Sequence, residues 1–526
     1  MRPKMKYIIP LIFVIVIATG SYFLWAGDEK QETGAQQYED LDRFREVMVK
    51  ILDHYVEEKD FSELIDAAID GMVSDLDMHS LYMDKKQYEN LMIDTEGEFG
   101  GLGIQLSVRD NFPTVLAPID DTPASRLGIQ SGDMIIEIEG ESTRGWNSDQ
   151  AVDKLRGKPG TQVNITIGRE GLDEPIPFTI TREIIKVPSV TYSTTMENVG
   201  YVRLARFAKK TVAELSEVLR GFEAQGVKGV IIDLRGNPGG LLTSAFEVSD
   251  LFLDKDKLIV YTEGRTPANN QKFYSSARAI HGNYPVVILQ DGASASASEI
   301  LAGALQDWDR ALIVGQTSFG KGSVQTVFRI GKDDALKLTT QKYFTPSKRC
   351  IHRDYDESGE PIVTEDSKKE YFTASGRVVY GGGGITPDWK IELPEFTEFQ
   401  RNLEIRGLFF AFAVNYTAYH KVGDGFDVNG AVMNEFKKFL TEKEFKYTEA
   451  DFTPENVTYV DRAIRREVFR KLHGTKGAYV ATLAEDEQIV KVLEMFRNVK
   501  TLDEAFKYAA KQTELAKTET AKTETK

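Results

Sequence analysis

A serine and a lysine stand where the surrounding sequence could give them hydrolytic chemistry. Ser296 lies in a run of small residues, 292–299, between the apolar stretch 286–289 and a helical pattern that begins at residue 300. A buried strand, a tight turn and a helix would place a hydroxyl at a corner where the first helical amides lack intrahelical acceptors. Lys321 follows in a Gly-Lys-Gly sequence. A desolvated, neutral lysine can be the base that a hydroxyl nucleophile needs, so the pair predicts a peptidase.

Two features of these segments leave other interpretations open. Ser294 and Ser298 flank Ser296, so residue types alone do not decide which hydroxyl is the nucleophile. The segment 315–321 nearly forms a phosphate-binding loop, but Gly322 stands where a metal-binding Ser or Thr is required. The residues after it alternate as in a strand, whereas a phosphate-binding loop opens a helix. Nucleotide binding is therefore the weaker alternative.

Three segments taken together resemble one family of peptidases. They are Asp233-Leu234-Arg235-Gly236-Asn237-Pro238-Gly239-Gly240, Ala293 to Glu299, and Gly320-Lys321-Gly322-Ser323-Val324-Gln325. In this order they resemble the carboxyl-terminal processing proteases, the tail-specific Ser/Lys peptidases, and the resemblance extends over about residues 41–389. It implies that Ser296 is the nucleophile, Lys321 the general base and Gln325 the residue that orients the lysine. If residues 323–328 form a strand, positions 321 and 325 share a face.

The glycine-rich turn Asn237-Pro238-Gly239-Gly240 follows a predicted strand and opens a predicted helix. One interpretation is a plain turn in which glycine relieves steric crowding. The other, which the family resemblance favours, is an oxyanion hole in which the amide of Gly239 or Gly240 joins that of Ala297. Each such donor stabilises an oxyanion by about 3–4 kcal/mol. The sequence does not choose between the two glycines.

A Ser/His/Asp triad and a metal centre are the remaining enzymatic alternatives. His281 and His352 are the histidines nearest to the motifs, and neither has the sequence context of a triad. No His/Cys/Asp/Glu cluster has the spacing of metal ligands, so we expect no metal site and no cofactor. The single cysteine, Cys350, excludes an internal disulfide. Outside the enzymes, the alternative is an inactive PDZ scaffold of the cell envelope, and the intact catalytic residues argue against it.

The N-terminus predicts the compartment. Arg2, Lys4 and Lys6 precede an uncharged run, 7–27, that is just long enough to span a bilayer. Basic residues before such a run place the N-terminus in the cytoplasm and the remainder outside. A cleaved signal peptide is the alternative, because residues 18–20 form a small-x-small site, but the apolar run continues past it. We expect a single-pass anchor in the inner or cytoplasmic membrane, with the protease on the periplasmic side.

The composition is that of a multidomain globular chain. Of the 526 residues 41% are apolar, and a net charge of −16 argues against nucleic acid as a partner. Short apolar strands alternate with helices in the core, which predicts an α/β core of layered sheet and helices. The family resemblance implies that this core is crotonase/ClpP-like, with an inserted PDZ domain, N-terminal helices and a C-terminal helical region. The predicted divisions are a membrane anchor or signal segment 1–27, a linker 28–38, an N-terminal helical region 39–95, the PDZ domain 96–186, the protease core 187–395, a C-terminal helical region 396–511 and a low-complexity, disordered tail 512–526.

The predicted PDZ domain supplies residues for peptide binding. Gly101-Leu102-Gly103-Ile104 resembles the loop whose backbone amides capture a peptide carboxylate, and residues 148–155 would be the groove helix. The family resemblance implies that Arg156 links the PDZ domain to the protease core. The alternative is that Arg156 is a solvated surface charge. The expected partners are proteins with unstructured C-termini, the membrane and a further copy of the chain. The predicted function is that of a serine endopeptidase that cleaves proteins near or from their C-termini.

Overall fold

The computed structural model describes residues 36–524, except 277, 278, 280, 282, 283, 357 and 359. The predicted membrane segment, residues 1–27, lies outside this part of the chain. Among the residues that are described, no helix is both long and apolar enough to cross a membrane. The chain forms two compact units, one comprising the described residues up to Asp84 with Val327–Thr339, and one comprising the remainder.

The helices and strands alternate along much of the chain. The helices are α1 (36–54), α2 (Phe61–Ser74), α3 (Lys85–Glu96), α4 (Pro123–Arg126), α5 (Ser148–Leu155), α6 (Thr211–Ala224), α7 (Leu242–Asp250), α8 (Ala297–Asp307), α9 (Glu365–Lys368), α10 (Glu398–Ile405), α11 (Leu408–Tyr419), α12 (Gly430–Glu442), α13 (Pro454–Thr482), α14 (Glu487–Asn498) and α15 (Leu502–Glu524). The strands are β1 (Leu81–Met83), β2 (Glu98–Gly101), β3 (Ile104–Arg109), β4 (Phe112–Pro118), β5 (Met134–Ile138), β6 (Glu141–Ser142), β7 (Gln162–Gly168), β8 (Ile176–Thr181), β9 (Glu183–Lys186), β10 (Val190–Met196), β11 (Val199–Leu204), β12 (Gly229–Asp233), β13 (Leu258–Gly264), β14 (Gln271–Tyr274), β15 (Val286–Gln290), β16 (Leu312–Gly315), β17 (Ser323–Ile330), β18 (Asp334–Phe344), β19 (Glu370–Phe372), β20 (Val378–Tyr380) and β21 (Trp389–Lys390).

In the smaller unit, β1 pairs antiparallel with the outer part of β18, where Tyr82 lies opposite Leu336. Asp77 fixes the turn before β1, because its carboxylate accepts hydrogen bonds from the backbone of His79 and Ser80 and from the Thr339 hydroxyl. The helix α2 begins at an Asp cap, as short polar side chains favour. Helical spacing of apolar residues had predicted helices in this region, and the structure contains them.

The larger unit is built on a central sheet with the strand order β10-β11-β12-β15-β16-β21. Only β10 and β11 pair antiparallel; the later neighbours are parallel. Parallel strands covered on both faces are apolar throughout, and every residue of β12 is buried. Alternation sends Val230 and Ile232 to one face, where α6, α7 and α8 pack, and Ile231 to the other. The predicted layered α/β core is confirmed.

The second face of this sheet is covered by the end of the chain. Ile489 and Phe496 of α14 and Ala505 of α15 pack in one buried cluster with Ile231 of the sheet. In contrast, α10 to α13 form a cluster of their own. The C-terminal segment therefore has two structural roles that its charged, helical sequence pattern did not separate. Where composition predicted a disordered tail over 512–526, α15 continues to Glu524, since the Ala, Lys and Glu of the repeat favour helix.

The segment predicted as a PDZ domain forms a sheet of order β3-β4-β5-β7-β8, with β6 beside β5. The ribbon of β2 and β9 pairs the chain where it enters and leaves this sheet. The predicted groove helix is α5, which begins at an Asn147 capping box. On another side this sheet contacts the helices of the C-terminal segment. There, a Cβ added to Gly132 would lie 2.6 Å from Val414, and the Lys471 ammonium donates to the Ser131 carbonyl.

Candidate active site

Ser296 occupies the corner between β15 and α8. It caps the helix with φ 54° and ψ −112°, a conformation that few residues other than glycine adopt. Its amide donates a 2.8 Å hydrogen bond to Glu299 Oε2. A strained residue between a buried strand and a buried helix is held there by its surroundings, and such strain concentrates at functional sites. The predicted strand-to-helix corner is present.

The structure distinguishes the three neighbouring serines. Ser294 and Ser298 are both buried, and each hydroxyl donates to a backbone carbonyl, that of Leu234 for Ser294 and that of Asn237 for Ser298. Ser296 is partly exposed. Two of the hydroxyls therefore support the turn, and the partly exposed Ser296 is the one that a substrate can reach.

Glu299 links the serine corner to the segment that carries the lysine. Its side chain is fully buried and accepts four hydrogen bonds. Oε1 accepts from the Ser318 hydroxyl (2.5 Å) and the Gly320 amide (2.7 Å), while Oε2 accepts from the amides of Ser296 (2.8 Å) and Lys321 (2.9 Å). Burial raises the pKa of Glu299 above its usual value, against the lowering effect of these donors. A single oxygen thus joins the backbones of the two residues predicted to do the chemistry.

Tyr343 makes a second link between the same two residues. Its hydroxyl lies 3.1 Å from the Ser296 carbonyl oxygen and 2.5 Å from the Lys321 carbonyl oxygen, and both accept from it. The side chain is 1% exposed, and burial holds the pKa of Tyr343 well above its usual value. It therefore stays protonated and keeps donating. Neither Glu299 nor Tyr343 was assigned a role from the sequence.

Lys321 precedes β17, which begins at Ser323. The strand on which the expectation of a shared face for positions 321 and 325 depends is present, but Lys321 lies two residues before it, so the shared face stays a prediction. Gln325 lies within the strand, and its Nε2 donates to Ser323 Oγ at 3.0 Å.

Gly239 lies directly against the serine corner, whereas Gly240 lies against the backbone of Phe207. A Cβ added to Gly239 would lie 2.6 Å from the Ala295 oxygen and 2.8 Å from the Ala297 nitrogen, so only glycine fits this contact. The Gly239 amide donates to Asn237 Oδ1 at 2.9 Å. The Gly240 amide donates to no described group, and Ala297 is the first residue of α8, whose amide has no intrahelical acceptor. The two glycines, which the sequence did not separate, thus differ in the direction of their amides.

A buried charge network anchors the chain before these glycines. Asp233 accepts hydrogen bonds from Arg203, Arg235 and the Tyr201 hydroxyl. Burial alone would raise the pKa of Asp233, but the charges of Arg235 and Arg203 outweigh it and lower that pKa to about 2. Arg235 also pairs with Asp486 at the start of α14, at 2.8 Å. Sequence reasoning gave these residues no role, because two of the partners, Arg203 and Asp486, lie far from Asp233 and Arg235 along the chain.

The two histidines considered from the sequence differ in position. His281 is buried, with Nδ1 3.1 Å from Glu223 Oε1. His352 adjoins the lysine segment, where its Nδ1 accepts from the Gly322 amide at 3.4 Å. With Nδ1 accepting from the backbone, the neutral ring of His352 carries its proton on Nε2, the nitrogen 3.8 Å from Asp354. His352 is therefore arranged as a backbone partner, not as the base of a triad.

The predicted carboxylate loop connects β2 to β3. The amides of Leu102 and Gly103 donate to no acceptor among the described residues. Among the described strands β3 pairs with β4 alone, so within this part of the chain its other edge is open. Open amides beside a free strand edge suit a peptide that adds as a further strand and ends in a carboxylate. Arg156, which caps the end of α5, donates to Asn90 Oδ1 at 2.6 Å and lies over the Phe99 ring.

Comparison with known proteins agrees with this geometry. The profile of peptidase family S41 matches residues 198–358. A carboxy-terminal-processing protease of Bartonella bacilliformis is 43% identical over 318 residues, which cover 60% of this chain and 73% of that protein. The chain belongs to the carboxy-terminal processing proteases. The carboxy-terminal processing protease CtpA of Bacillus subtilis is 33% identical over 360 residues, covering 67% of this chain and 76% of that protein.

Other parts of this carboxy-terminal processing protease match further family profiles. A PDZ domain matches residues 114–169, the N-terminal domain of the activating protease CtpB matches 24–87, and the C-terminal helical domain of a probable PDZ-protease matches 399–453. Among solved structures, the photosystem II D1 C-terminal processing protease is 25% identical, with 61% of this chain and 91% of that chain covered at a TM-score of 0.35. The chain is thus a serine-type peptidase with a PDZ domain, and its relatives are bacterial carboxy-terminal processing proteases.

Proposed function

We propose that Ser296 is the nucleophile of this protease and Lys321 its general base. The observation that carries the proposal is the Glu299 carboxylate, one oxygen of which accepts the amides of both residues. Such a bond fixes the separation of the two backbones without engaging either side chain. Gln325 orients the lysine, a role supported by the bond that holds its amide group to Ser323.

The catalytic cycle follows from these roles. Ser296 Oγ attacks the scissile carbonyl carbon while neutral Lys321 accepts the hydroxyl proton, and the resulting oxyanion collapses to an acyl-enzyme. Lys321 returns the proton to the leaving amine, so that a free amine departs. Lys321 then takes a proton from water, the hydroxide attacks the ester carbonyl, and the proton returns to Ser296. The products are two shortened peptides, with one water consumed.

The amides of Gly240 and Ala297 are the hydrogen-bond donors that stabilise the oxyanion. This choice is supported by the Gly239 amide, whose hydrogen bond to Asn237 Oδ1 already uses its proton. Gly239 has a different role: because it has no side chain, the chain can approach the turn that holds Ser296 closely. Removing one oxyanion donor typically costs about 3–4 kcal/mol of transition-state stabilisation.

Substrates are proteins with unstructured, mostly apolar C-termini, captured by the loop Gly101–Ile104 and by the open edge of β3.

The enzyme is held at the cytoplasmic membrane by residues 7–27, with the protease on the periplasmic side; the basic flank and the uncharged run support this placement. Exposed apolar residues of α1, such as Leu41 and Phe44, suit a contact between copies of the chain.

The decisive experiment compares single serine variants on fluorescently labelled casein. Ser296→Ala should lower the rate by at least about 1,000-fold, whereas a serine that only supports the turn should cost far less. Ser294→Ala and Ser298→Ala, each of which removes a hydroxyl bonded to backbone, serve as matched controls. Reaction with a fluorophosphonate probe should be lost only in Ser296→Ala. If Ser294→Ala were inactive and Ser296→Ala active, the assignment of the nucleophile would be wrong.

A further inference from the structure

A short segment after β18 runs beside the residues that carry Lys321. The Arg353 amide donates to the Gly320 carbonyl at 2.8 Å, and the Gly322 amide donates to the ring of His352. On its other side the segment meets the chain near Gly383, since the Gly384 amide donates to the Ile351 carbonyl at 2.9 Å. The segment is therefore a spacer between the lysine loop, defined here as residues 318–322, and the glycine run that leads to β21.

The Arg353 side chain joins these two neighbours. Its Nη2 donates to the Ser318 carbonyl at 3.2 Å and to the Gly383 carbonyl at 2.5 Å. Ser318 is the residue whose hydroxyl donates to Glu299, so Arg353 holds the carbonyl of a residue that is itself bonded to the carboxylate. The path from the guanidinium to Lys321 therefore passes through three hydrogen bonds, because the Lys321 amide also donates to Glu299.

The segment that contains Arg353 is closely packed against its two neighbouring segments. A Cβ added to Gly320 would lie 2.8 Å from the Arg353 Cβ, and Gly320 itself has φ 93°, which favours glycine. A Cβ added to Gly384 would lie 2.5 Å from the Ser318 carbonyl oxygen. Glycines on both sides let three backbone segments approach within hydrogen-bonding distance. The Arg353 segment and the lysine loop are therefore in direct contact through both the Arg353 Cβ and the guanidinium.

We propose that Arg353 is a positioning residue for proton transfer: its guanidinium fixes the Ser318 carbonyl and thereby holds the lysine loop, with Lys321, against Glu299. The inference rests on the proposed role of Lys321 as the base. Arginine suits this task because its planar group presents several donors in fixed directions, whereas the lysine ammonium is a point charge on a flexible stem. Residues 353–383 form one stretch of the chain, and the bond from Arg353 to the Gly383 carbonyl holds both of its ends beside the lysine loop.

The test measures kcat and KM on a short quenched fluorescent peptide, together with the rate of fluorophosphonate labelling. Misplacing a catalytic group by about 1 Å can cost on the order of 100-fold, so Arg353→Met should lower kcat and the labelling rate by about 10–100-fold. KM should change less than twofold, because the Arg353 guanidinium is engaged with the carbonyls of Ser318 and Gly383 and acts on the lysine loop. Arg353→Lys keeps the charge and one donor group, and should recover part of the lost kcat.

Arg310 provides the matched control. Its guanidinium likewise donates to backbone carbonyls, those of Phe252, Tyr284 and His281, but it follows the far end of α8 from Ser296. Arg310→Met should lower the melting temperature and leave kcat within twofold. Equal kcat losses in Arg353→Met and Arg310→Met, or no recovery in Arg353→Lys, would overturn the positioning role.

Two further comparisons keep the outcome decisive. If Arg353→Met gives too little folded protein, Arg353→Lys against Arg310→Lys decides, with a loss of kcat expected only in the former. Ser296→Ala in the same assay separates the two hypotheses. An active Ser296→Ala would refute the proposed site itself, whereas an inactive Ser296→Ala with a normal Arg353→Met would refute only the inference about Arg353.

Discussion

The Ser296 amide and the Glu299 carboxylate, three residues apart at the start of α8, form a 2.8 Å hydrogen bond although Ser296 has a φ of 54°. In an ordinary capping box the third helical residue satisfies the amide of the cap and has no further task. Here the same carboxylate also accepts the Lys321 amide. The start of the helix, the strained serine and the loop of the base therefore depend on one side chain.

The first prediction concerns the loss of one carboxylate oxygen. Glu299→Gln keeps the shape of the side chain but places an NH₂ group against donors that need an acceptor. These donors are either the amides of Ser296 and Lys321 or the Ser318 hydroxyl and the Gly320 amide. We expect kcat on a short peptide to fall by about 100-fold, because the separation of the two residues is no longer fixed. Circular dichroism should report an intact fold. A variant with the wild-type kcat would contradict the linking role of Glu299.

The second prediction is the pH dependence that follows from the raised pKa of Glu299. The folded chain binds this proton at a higher pH than the unfolded chain does, so the free energy of unfolding should fall as pH rises from about 4.5 through the raised pKa. Activity should rise over the same interval, since only the carboxylate accepts all four donors. Urea unfolding of wild type and Glu299→Gln at several pH values tests this; equal slopes would refute it.

The third prediction concerns Lys471, which donates to the Ser131 carbonyl between the PDZ sheet and α13. Burial lowers the pKa of Lys471 from 10.5 to about 8, with Asp133 raising it and Arg169 lowering it further. Between pH 8 and 10.5 the unfolded chain holds a proton that the folded chain has released, so stability should rise with pH by on the order of 2–3 kcal/mol.

Lys471→Met removes this titration, and its unfolding free energy should vary less across the same interval. Lys476→Met is the matched control, because Lys476 is an exposed lysine that pairs with Asp120 and lies just beyond the kink at His473 and Gly474 in α13. If wild type and Lys471→Met changed in parallel between pH 8 and 10.5, Lys471 would keep its proton in the folded protein.

Short-range patterns predicted much of this fold. Apolar runs identified β12 and β15, and helical spacing identified α2 and α8, because these signals arise within a few residues. The division of the C-terminal helices between the core sheet and their own cluster was not predictable in this way. Both groups are amphipathic, and which surface covers an apolar face is decided by residues far away in the chain, such as Ile231 beneath Phe496.

The residues of the active site likewise differ in whether a local sequence pattern identifies them. Ser296 and Lys321 stand in local motifs and were identified with the help of family resemblance. Glu299 lay inside the quoted motif without an assigned role, because only the fold brings the Lys321 amide to its side chain. Tyr343 and Arg353 had no local signal, since the one stands in an ordinary strand pattern and the other in a polar loop. Hydrogen bonds to backbone groups leave little trace in the types of the residues that accept them.

The fourth prediction treats the two proposed catalytic residues as one unit. Ser296→Ala and Lys321→Ala should each abolish cleavage of casein, and the double variant should be no slower than either single variant. A nucleophile without its base and a base without its nucleophile are equally unproductive. Rates that multiply in the double variant would indicate two independent contributions. All three proteins should retain the wild-type melting curve within a few degrees.

The last prediction concerns Arg156 and the coupling of the PDZ domain to the site. Its guanidinium bonds to Asn90 of α3 and lies over Phe99, so it joins the end of the groove helix to the chain that enters the PDZ sheet. A tail bound at the loop Gly101–Ile104 can shift the site only if it binds two arrangements with different affinity. Couplings of this kind are typically about 1–3 kcal/mol, so Arg156→Ala should lower kcat/KM on a protein with an apolar C-terminal tail by about 5–150-fold.

A short peptide that cannot reach the groove should be cleaved by Arg156→Ala at the wild-type rate, because the proposed catalytic residues are untouched. Arg144→Ala is the matched control: Arg144 also lies over an aromatic ring of the PDZ domain, that of Phe112, but it stands in the turn before the groove helix, at the opposite end of that helix from Arg156. It should leave both rates unchanged. If Arg156→Ala cleaves the tailed protein as fast as wild type does, Arg156 is a solvated charge and the PDZ domain acts as a plain tether. If it slows both substrates equally, the arginine supports the core itself and does not transmit binding of the tail.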